Sequence, residues 1–149
     1  MRPVSTLEIG QAFWLAFERV DLSDAPGFLP GFPTGCCSWA TWMIGHYLKT
    51  ECGQSPLEIQ GIRDGFDGAD THAWLSVNDM IVDITCGQYK DCPHPTIISV
   101  YSEWHSQWQV VKTAEIIPIF RYDSIPFPGQ VLASEIYKRL ELNVLSQFA

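Results

Sequence analysis

The chain has 149 residues, of which 46% are hydrophobic and 13% aromatic, and it carries a formal net charge of −8. These values predict one globular domain over residues 1–149 and exclude an intrinsically disordered chain. The nine Lys and Arg residues form no basic cluster, which argues against nucleic-acid or membrane partners and favours a polypeptide or small-molecule substrate.

The N-terminal segment MRPVSTLEIGQ has no apolar stretch of signal-peptide length, and no run of 18 apolar residues occurs in the chain. A cytoplasmic protein is therefore expected, with delivery by a route that needs no signal peptide as the alternative. The five cysteines are an odd set for a disulfide scaffold. They favour one reactive thiol among several structural ones.

Two helices are predicted in the first third of the chain. Ser5 and Glu8 have the spacing of a capping box, and Leu7, Phe13, Leu15, Phe17 and Val20 recur at mostly helical spacing after it. Segment 21–35 contains three prolines and three glycines and is predicted to be a loop. The second helix runs from about Cys37 to Thr50 and stops at Gly53. Its predicted buried residues are Ala40, Met43, Ile44, Tyr47 and Leu48.

Strand patterns follow the second helix. The predicted strands are 57–62, 72–77, 80–85, 96–101 and 109–120, with an acidic loop at 63–70. An amphipathic helix from about Gln130 to Leu145 ends the chain. Helices first, then a largely antiparallel sheet, then a helix is an α+β order.

The hairpin at 72–85 brings a histidine and a carboxylate together. If Asn78 and Asp79 are the two turn residues, Trp74 lies opposite Asp83, and side chains alternate between the two faces. His72 then shares a face with Asp83 and lies diagonally from it, close enough for contact. A carboxylate fixes the tautomer of a histidine and makes it a better base. The same register pairs Val77 with Met80 and Leu75 with Val82.

Cys36 and Cys37 stand where the second helix begins, after a turn containing Pro33 and Gly35. The free N–H groups and dipole of a helix N-terminus stabilise a thiolate and can also bind the oxyanion of a tetrahedral intermediate. Cysteine, histidine and aspartate thus form a set suited to acyl transfer.

These residues resemble a known family. Gly35-x-Cys37 followed by Ala40 is similar to the nucleophile segment of transglutaminase-like proteins. The segments His72-Ala73-Trp74 and Asp83-Ile84-Thr85 are similar to their histidine and aspartate strands. FPTGCC (32–37) and HAWLSVNDMIVDITCGQY (72–89) also resemble a small bacterial group of these proteins. The resemblance covers about residues 30–90. It implies a papain-like fold in which the helix bearing the nucleophile packs on an antiparallel sheet, with nucleophile Cys37, base His72 and orienting Asp83.

Several supporting residues stay open as alternatives. Cys36 is the nucleophile if the helix starts one residue earlier. Trp74 either shields the His–Asp pair from water or fills the core. Gln88 and Gln11 are each able to donate to an oxyanion. His46, nine residues after Cys37, lies half a revolution away on the helix and is excluded as its base.

Metal binding is the next alternative. Cys86, Cys92 and His94 lie close together in sequence, but their spacing does not match common zinc motifs. We therefore expect no metal and no cofactor. His94 and His105 lie in loop-like surroundings and have no predicted partner.

The expected reaction is thiolate attack on an amide, giving an acyl-enzyme. Water as acceptor gives peptide hydrolysis or deamidation, and an amine gives transglutamination. The alternative from another class is a non-catalytic protein-binding module that retains a triad-like core, with the six tryptophans supplying an apolar surface. A redox pair of Cys36 and Cys37 is disfavoured, because adjacent cysteines form strained disulfides.

Overall fold

The computed structural model describes residues 3–25, 27, 29–65, 68–117 and 128–149, with backbone only for 128–132. Within these residues it has four α-helices and one five-stranded antiparallel sheet, so the predicted α+β class is confirmed. The helices are α1 (Thr6–Arg19), α2 (Cys37–Thr50), α3 (Glu103–Ser106) and α4 (Pro128–Gln147). The strands are β1 (Leu57–Gly65), β2 (Gly68–Val77), β3 (Met80–Asp83), β4 (Ile97–Ser99) and β5 (Gln109–Glu115).

The first helix begins as its capping box predicts. The Glu8 N–H donates to Ser5 Oγ at 3.1 Å, and the Ser5 N–H donates to Glu8 Oε1 at 3.4 Å. The buried face differs from the predicted apolar series, because Leu7 is 41% exposed and Leu15 and Val20 are only partly buried. The residues that α1 buries are Ile9, Gly10, Ala12, Phe13, Ala16 and Phe17.

The second helix has the predicted limits and the predicted buried side. Ala40, Met43, Ile44, Tyr47 and Leu48 are all buried. Gly53 adopts a φ of +63° just beyond the helix, in the region that favours glycine. None of the helices in the described ranges is both long enough and apolar enough to cross a bilayer.

The hairpin of β2 and β3 has the predicted register. Val77 pairs with Met80 and Leu75 with Val82. Asn78 and Asp79 both have positive φ, at 49° and 63°, as a two-residue hairpin turn of type I′ requires. The sheet order is β4-β3-β2-β1-β5, so β2 lies at its centre.

The predicted acidic loop at 63–70 is wrong in its extent. β1 continues to Gly65 and β2 begins at Gly68, and Arg63 pairs with Asp70 across the two strands. An ion pair between Arg63 Nε and Asp70 Oδ2, at 3.5 Å, places opposite charges on the paired strands. The polar composition of this segment hid the strand ends.

Three other predicted boundaries change. The strand at 80–85 ends at Asp83, because the Asp83 side chain accepts the Thr85 N–H and the chain turns into a 3₁₀ helix, Cys86–Gln88. The strand at 96–101 shortens to Ile97–Ser99. The strand at 109–120 ends at Glu115, and positions 118–120 of that prediction lie outside the described residues.

Apolar residues pack on both faces of the sheet. Leu75 and Val77 of β2 join the main core with α1, α2 and α4. The intervening residue, Trp74, points to the other face and packs with Cys86, Trp104 and Trp108 in a second cluster. His72 has the same parity as Trp74 and therefore belongs to the face of this second cluster.

Candidate active site

His72 and Asp83 meet at the buried end of the hairpin. His72 Nε2 lies 2.7 Å from Asp83 Oδ2, and each residue is 2% exposed. The second carboxylate oxygen, Oδ1, accepts the Thr85 N–H at 2.9 Å. The shared face predicted for the imidazole and the carboxylate is thus confirmed, and the backbone holds the carboxylate from its other side.

Each member of the pair stabilises the charge of the other. Burial by itself disfavours an ionised Asp83, but the two imidazoles of His72 and His105 hold the pKa of the carboxyl well below its usual range. Burial likewise opposes a charged His72. The carboxylate outweighs that effect and raises the pKa of His72 to about 9. The His72 ring is therefore a strong base in this structure.

Cys37 is the first residue of α2 and is partly exposed. Burial opposes its ionisation, but the imidazole of His72 and the Ala73 N–H lower the pKa of the thiol below its ordinary value. His72 Nδ1 is buried and has no hydrogen-bond partner within the described ranges, so it is the ring atom open to the thiol. Cys37 and His72 line the same cleft.

Cys36 occupies a different environment from its neighbour. Its side chain is completely buried, and its thiol donates to the Thr34 carbonyl oxygen at 3.4 Å. Burial, with a contribution from Cys37, raises the pKa of Cys36 to about 11. Cys36 precedes the first residue of the helix as its N-cap. These properties favour Cys37 over Cys36 as the nucleophile.

A second histidine completes the contacts of Asp83. His105 Nε2 lies 2.7 Å from Asp83 Oδ2, the same oxygen that His72 contacts. His105 lies on α3 and is 5% exposed. The prediction that His105 has no partner and lies in a loop is therefore wrong. The one sequence signal for this element is Ser102, which stands three residues before His105 and caps the short helix.

Aromatic rings surround the His72 imidazole. The ring centroids of Trp74, Tyr89, Trp104 and Trp108 lie 5.3 to 5.8 Å from that of His72. They exclude water from the ring and leave its charge to be stabilised by Asp83. Trp74 is 5% exposed and contacts the His105 ring as well, at 4.8 Å, so it both shields the pair and fills the second cluster.

The rings of Trp74, Tyr89, Trp104 and Trp108 form an aromatic wall around His72, and a second ion pair lies behind it. The guanidinium of Arg63 stacks at 4.4 Å from the Trp108 ring centroid. Two of its nitrogens bind Asp91 at 2.7 and 2.9 Å, and the Trp104 Nε1 donates to the same carboxylate. Arg63 pairs with both Asp91 and Asp70, and its contacts with the Trp104 and Trp108 rings hold the wall in place.

Of the two glutamines predicted as oxyanion donors, Gln88 lies next to the turn before α2, whereas Gln11 lies on the exposed side of α1. Gln88 Oε1 accepts the N–H of Gly35 at 3.0 Å, and Gly35 has a φ of +71° two residues before Cys37. The Gln88 Nε2 is buried and has no acceptor in the described part of the chain. Gln88 therefore supports the turn that precedes Cys37.

A cleft of about 150 Å³ lies beside the thiol. Of its lining residues, His72 alone is titratable besides Cys37, so the cleft is otherwise uncharged. Gly61 pairs with His72 at an irregularity in β1, and a Cβ there would lie 3.0 Å from Trp74 and Trp108. The lining residues are Cys37, Ser38, Gln60, Gly61, Ile62, Thr71, His72, Ala73 and Val111.

Two groups bear on metal binding. The thiols of Cys86 and Cys92 both donate to the backbone carbonyl of His94, at 3.6 and 3.3 Å. The ligand atoms of His72, Asp83 and His105 lie within 4.8 Å of one another. Their N···O distances of 2.7 Å are those of direct hydrogen bonds, shorter than the roughly 3.3 Å between donors around a tetrahedral zinc ion. The cluster therefore fits a proton-sharing group better than a metal site.

Comparisons of the chain with protein-family models, with curated proteins and with solved structures return no match. The likeness to transglutaminase-like proteins stays a prediction from sequence. The function of the chain is therefore inferred from the contacts of Cys37, His72 and Asp83.

Proposed function

We propose that this protein is a cysteine-dependent acyl-transfer enzyme that acts on amide bonds. One observation carries the proposal: the buried His72 imidazole contacts the Asp83 carboxylate at 2.7 Å and lines the same cleft as Cys37, whose thiol pKa it lowers. A histidine with a purely structural role rarely lies beside both a thiol and a carboxylate, whereas an activated nucleophile needs a base that is itself held by a third group. Cys37 is the nucleophile, His72 the base and Asp83 the residue that orients it.

The first half-reaction makes a thioester. The Cys37 thiol passes its proton to His72 Nδ1, and its sulfur bonds to the carbonyl carbon while the C=O electron pair moves onto oxygen. Collapse of this tetrahedral intermediate breaks the C–N bond. The imidazolium gives its proton to the departing nitrogen, which leaves as an amine or ammonia. Asp83 stabilises the imidazolium throughout these steps.

Donors for the oxyanion are available at the start of α2. The N–H groups of the first helical residues have no acceptor within their own helix, and Cys37 is the first of them. Gln88 is a second donor candidate, since its Nε2 is buried without an acceptor in the described ranges. Both groups lie on segments that touch the turn before the nucleophile.

The second half-reaction releases the acyl group to an acceptor. His72 takes a proton from water or from an amine, the new bond forms at the thioester carbon, and the C–S bond breaks. Water gives hydrolysis or deamidation, and an amine gives transamidation. We propose hydrolysis of a peptide or side-chain amide, because water is the commonest acceptor. The uncharged cleft of about 150 Å³ favours a small, neutral group on the acyl side.

The geometry also favours the papain-like arrangement that the sequence resemblance implies. In that arrangement the nucleophile stands at a helix start, and the histidine and aspartate lie on neighbouring antiparallel strands. Here α2 begins with Cys37, and β2 and β3 carry His72 and Asp83. The chain would then be a small transglutaminase-like enzyme.

Acylation by 4-nitrophenyl acetate tests the proposal without knowledge of the natural substrate. We expect a burst of 4-nitrophenolate and an acetyl group on Cys37, located by mass spectrometry of digested protein. Cys37→Ala should abolish the burst, and His72→Ala should slow it about 10²-fold or more. Cys52→Ser is the matched control, because Cys52 is a partly exposed thiol whose pKa is raised by burial.

The acceptor is then identified with glutamine-containing peptides in the presence and absence of hydroxylamine. Ammonia release without cleavage indicates deamidation, hydroxamate formation indicates transfer, and new peptide termini indicate proteolysis. Acetylation that is equally fast in wild type and His72→Ala, or that falls on another cysteine, would contradict the proposal. The domain would then be a binding module that retains a triad-like core.

A further inference from the structure

Asp83 has more partners than a triad requires. Its Oδ2 lies 2.7 Å from His72 Nε2 and 2.7 Å from His105 Nε2. An ionised carboxylate is a hydrogen-bond acceptor only, so both imidazoles must present an N–H to this oxygen. The three side chains are between 2% and 5% exposed, so water does not compete for these bonds.

Ser102 fixes the tautomer of His105. Its Oγ accepts the backbone N–H of His105 at 3.1 Å and lies 2.6 Å from His105 Nδ1. A hydroxyl that accepts one hydrogen bond still has its own proton to donate, and Nδ1 is within its reach. Nδ1 therefore acts as an acceptor, and the proton of the neutral ring is on Nε2, facing Asp83. Each hydrogen bond from Ser102 through His105 and Asp83 to His72 then joins one donor to one acceptor.

We propose that His105 is a positioning residue of the catalytic group: a second N–H donor that fixes the Asp83 carboxylate and limits the negative charge it offers to His72. This inference rests on the proposed acyl-transfer function and adds a fourth residue to it. Its role is to set the basicity of His72. His105 touches neither the thiol nor the substrate cleft.

The expected change in the basicity of His72 follows from the sharing of Asp83 Oδ2 by two donors. Two donors divide the electron density of Oδ2, and each bond is weaker than it would be alone. Without the His105 donor, the carboxylate stabilises the His72 imidazolium more strongly. His72 then holds its proton to higher pH and becomes a poorer acid towards the departing amine. The alkaline limb of the rate profile should move to higher pH while the rate falls.

Other titratable groups around His72 should be the same in all variants. Cys37 faces the ring from α2, and Tyr89 and Cys86 face it from the segment after β3. Arg63 lies behind the aromatic rings, paired with both Asp91 and Asp70. Burial raises the pKa of Cys86 and also raises that of Tyr89, to about 12, so neither ionises near neutral pH.

His105→Gln and His105→Leu separate the proposed role from a structural one. The glutamine Nε2 can reach the position of the imidazole Nε2 and keeps the donor, whereas leucine removes it at similar size. We expect His105→Gln to be acylated by 4-nitroacetanilide, an amide whose departing amine needs the His72 proton, at a rate within about threefold of wild type. We expect His105→Leu to be slower by about tenfold or more. NMR titration of the His72 ring should show its midpoint about one pH unit higher in His105→Leu.

The NMR titration needs no turnover, so it tests His105 even if no acylation is seen and the proposed function fails. Equal loss of rate in both variants, or an unchanged His72 midpoint, overturns the inference and leaves His105 with a structural role. Stoichiometric metal in purified wild type that is lost in His105→Leu overturns it as well. If His105→Leu does not fold, Ser102→Ala should shift the His72 midpoint in the same direction by a smaller amount.

Discussion

Iodoacetamide should label Cys37 at pH 7 up to about tenfold faster than it labels a free cysteine. A thiol with a pKa near 8.5 is only about 3% thiolate at this pH, and the lowered pKa of Cys37 raises its thiolate fraction above that of an ordinary thiol. The gain is smaller than the ratio of thiolate fractions, because nucleophilicity falls as the pKa falls. Peptide mapping of partly alkylated protein gives the rate for each cysteine.

The pH dependence of labelling is the sharper part of this prediction. Below pH 7 a free thiol reacts about tenfold more slowly for each pH unit, whereas Cys37 should lose reactivity only at lower pH. His72→Ala should restore the ordinary dependence, since it removes the charge and hydrogen bond that lower the Cys37 pKa. Cys36, which is fully buried with a pKa near 11, should stay unlabelled. Preferential labelling of Cys36 would sink the assignment of the nucleophile.

Asp83→Asn should lower the free energy of unfolding by about 3 kcal/mol and the Tm by about 10 °C. An asparagine accepts with one oxygen only, so its NH2 group faces either the two imidazole N–H groups that share Oδ2 or the Thr85 N–H on Oδ1, and buried donors lose their acceptor in both cases. Burial then dominates His72, and its pKa should fall below 6.5. The variant should also lose fast labelling of Cys37 at pH 7. Urea unfolding and the same peptide mapping measure the two effects.

The stability difference between wild type and Asp83→Asn should itself depend on pH. The lowered pKa of Asp83 stabilises the fold above the unfolded value of 3.8, and this contribution is lost as pH falls through the folded value. The raised pKa of His72 stabilises the fold below 6.5, and that contribution is lost as pH rises towards about 9. The difference in the free energy of unfolding between the two proteins should therefore be greatest between about pH 3.8 and pH 6.5.

Asp24→Asn is the matched control for this variant. Asp24 binds Arg139 through two hydrogen bonds, at 2.9 and 3.1 Å, but the pair is exposed to solvent. Screening by water makes such a pair nearly neutral for stability, so the Tm should not change measurably. A pH-independent difference for Asp83→Asn, or a Tm equal to that of the control, would mean that the buried cluster is not ionised.

The sequence was sufficient to predict the His72–Asp83 pair because short-range rules determine it. A two-residue turn of Asn78 and Asp79 fixes the register, and strict alternation then assigns each side chain to a face. The start of α2 at Cys37 was predicted equally well, because Pro33 and Gly35 end the preceding loop and apolar periodicity begins at once. Both signals lie within a few residues of the features they determine.

His105 was missed because nothing local identifies it. The helix α3 has four residues, too few to show periodicity, and the contact of His105 with Asp83 spans 22 positions in sequence. The Arg63–Asp91 pair spans 28 positions and was missed for the same reason. Such contacts depend on how the loop after β3 returns to the sheet, and no short-range rule specifies that path.

The tryptophans of the aromatic wall should make the protonation of His72 observable by fluorescence. Three indole rings, those of Trp74, Trp104 and Trp108, lie within 5.8 Å of the His72 ring centroid. An imidazolium ion quenches indole emission more strongly than a neutral imidazole does. We therefore expect the intrinsic fluorescence of the protein to brighten as His72 gives up its proton, which would report the protonation of this buried ring without label or substrate.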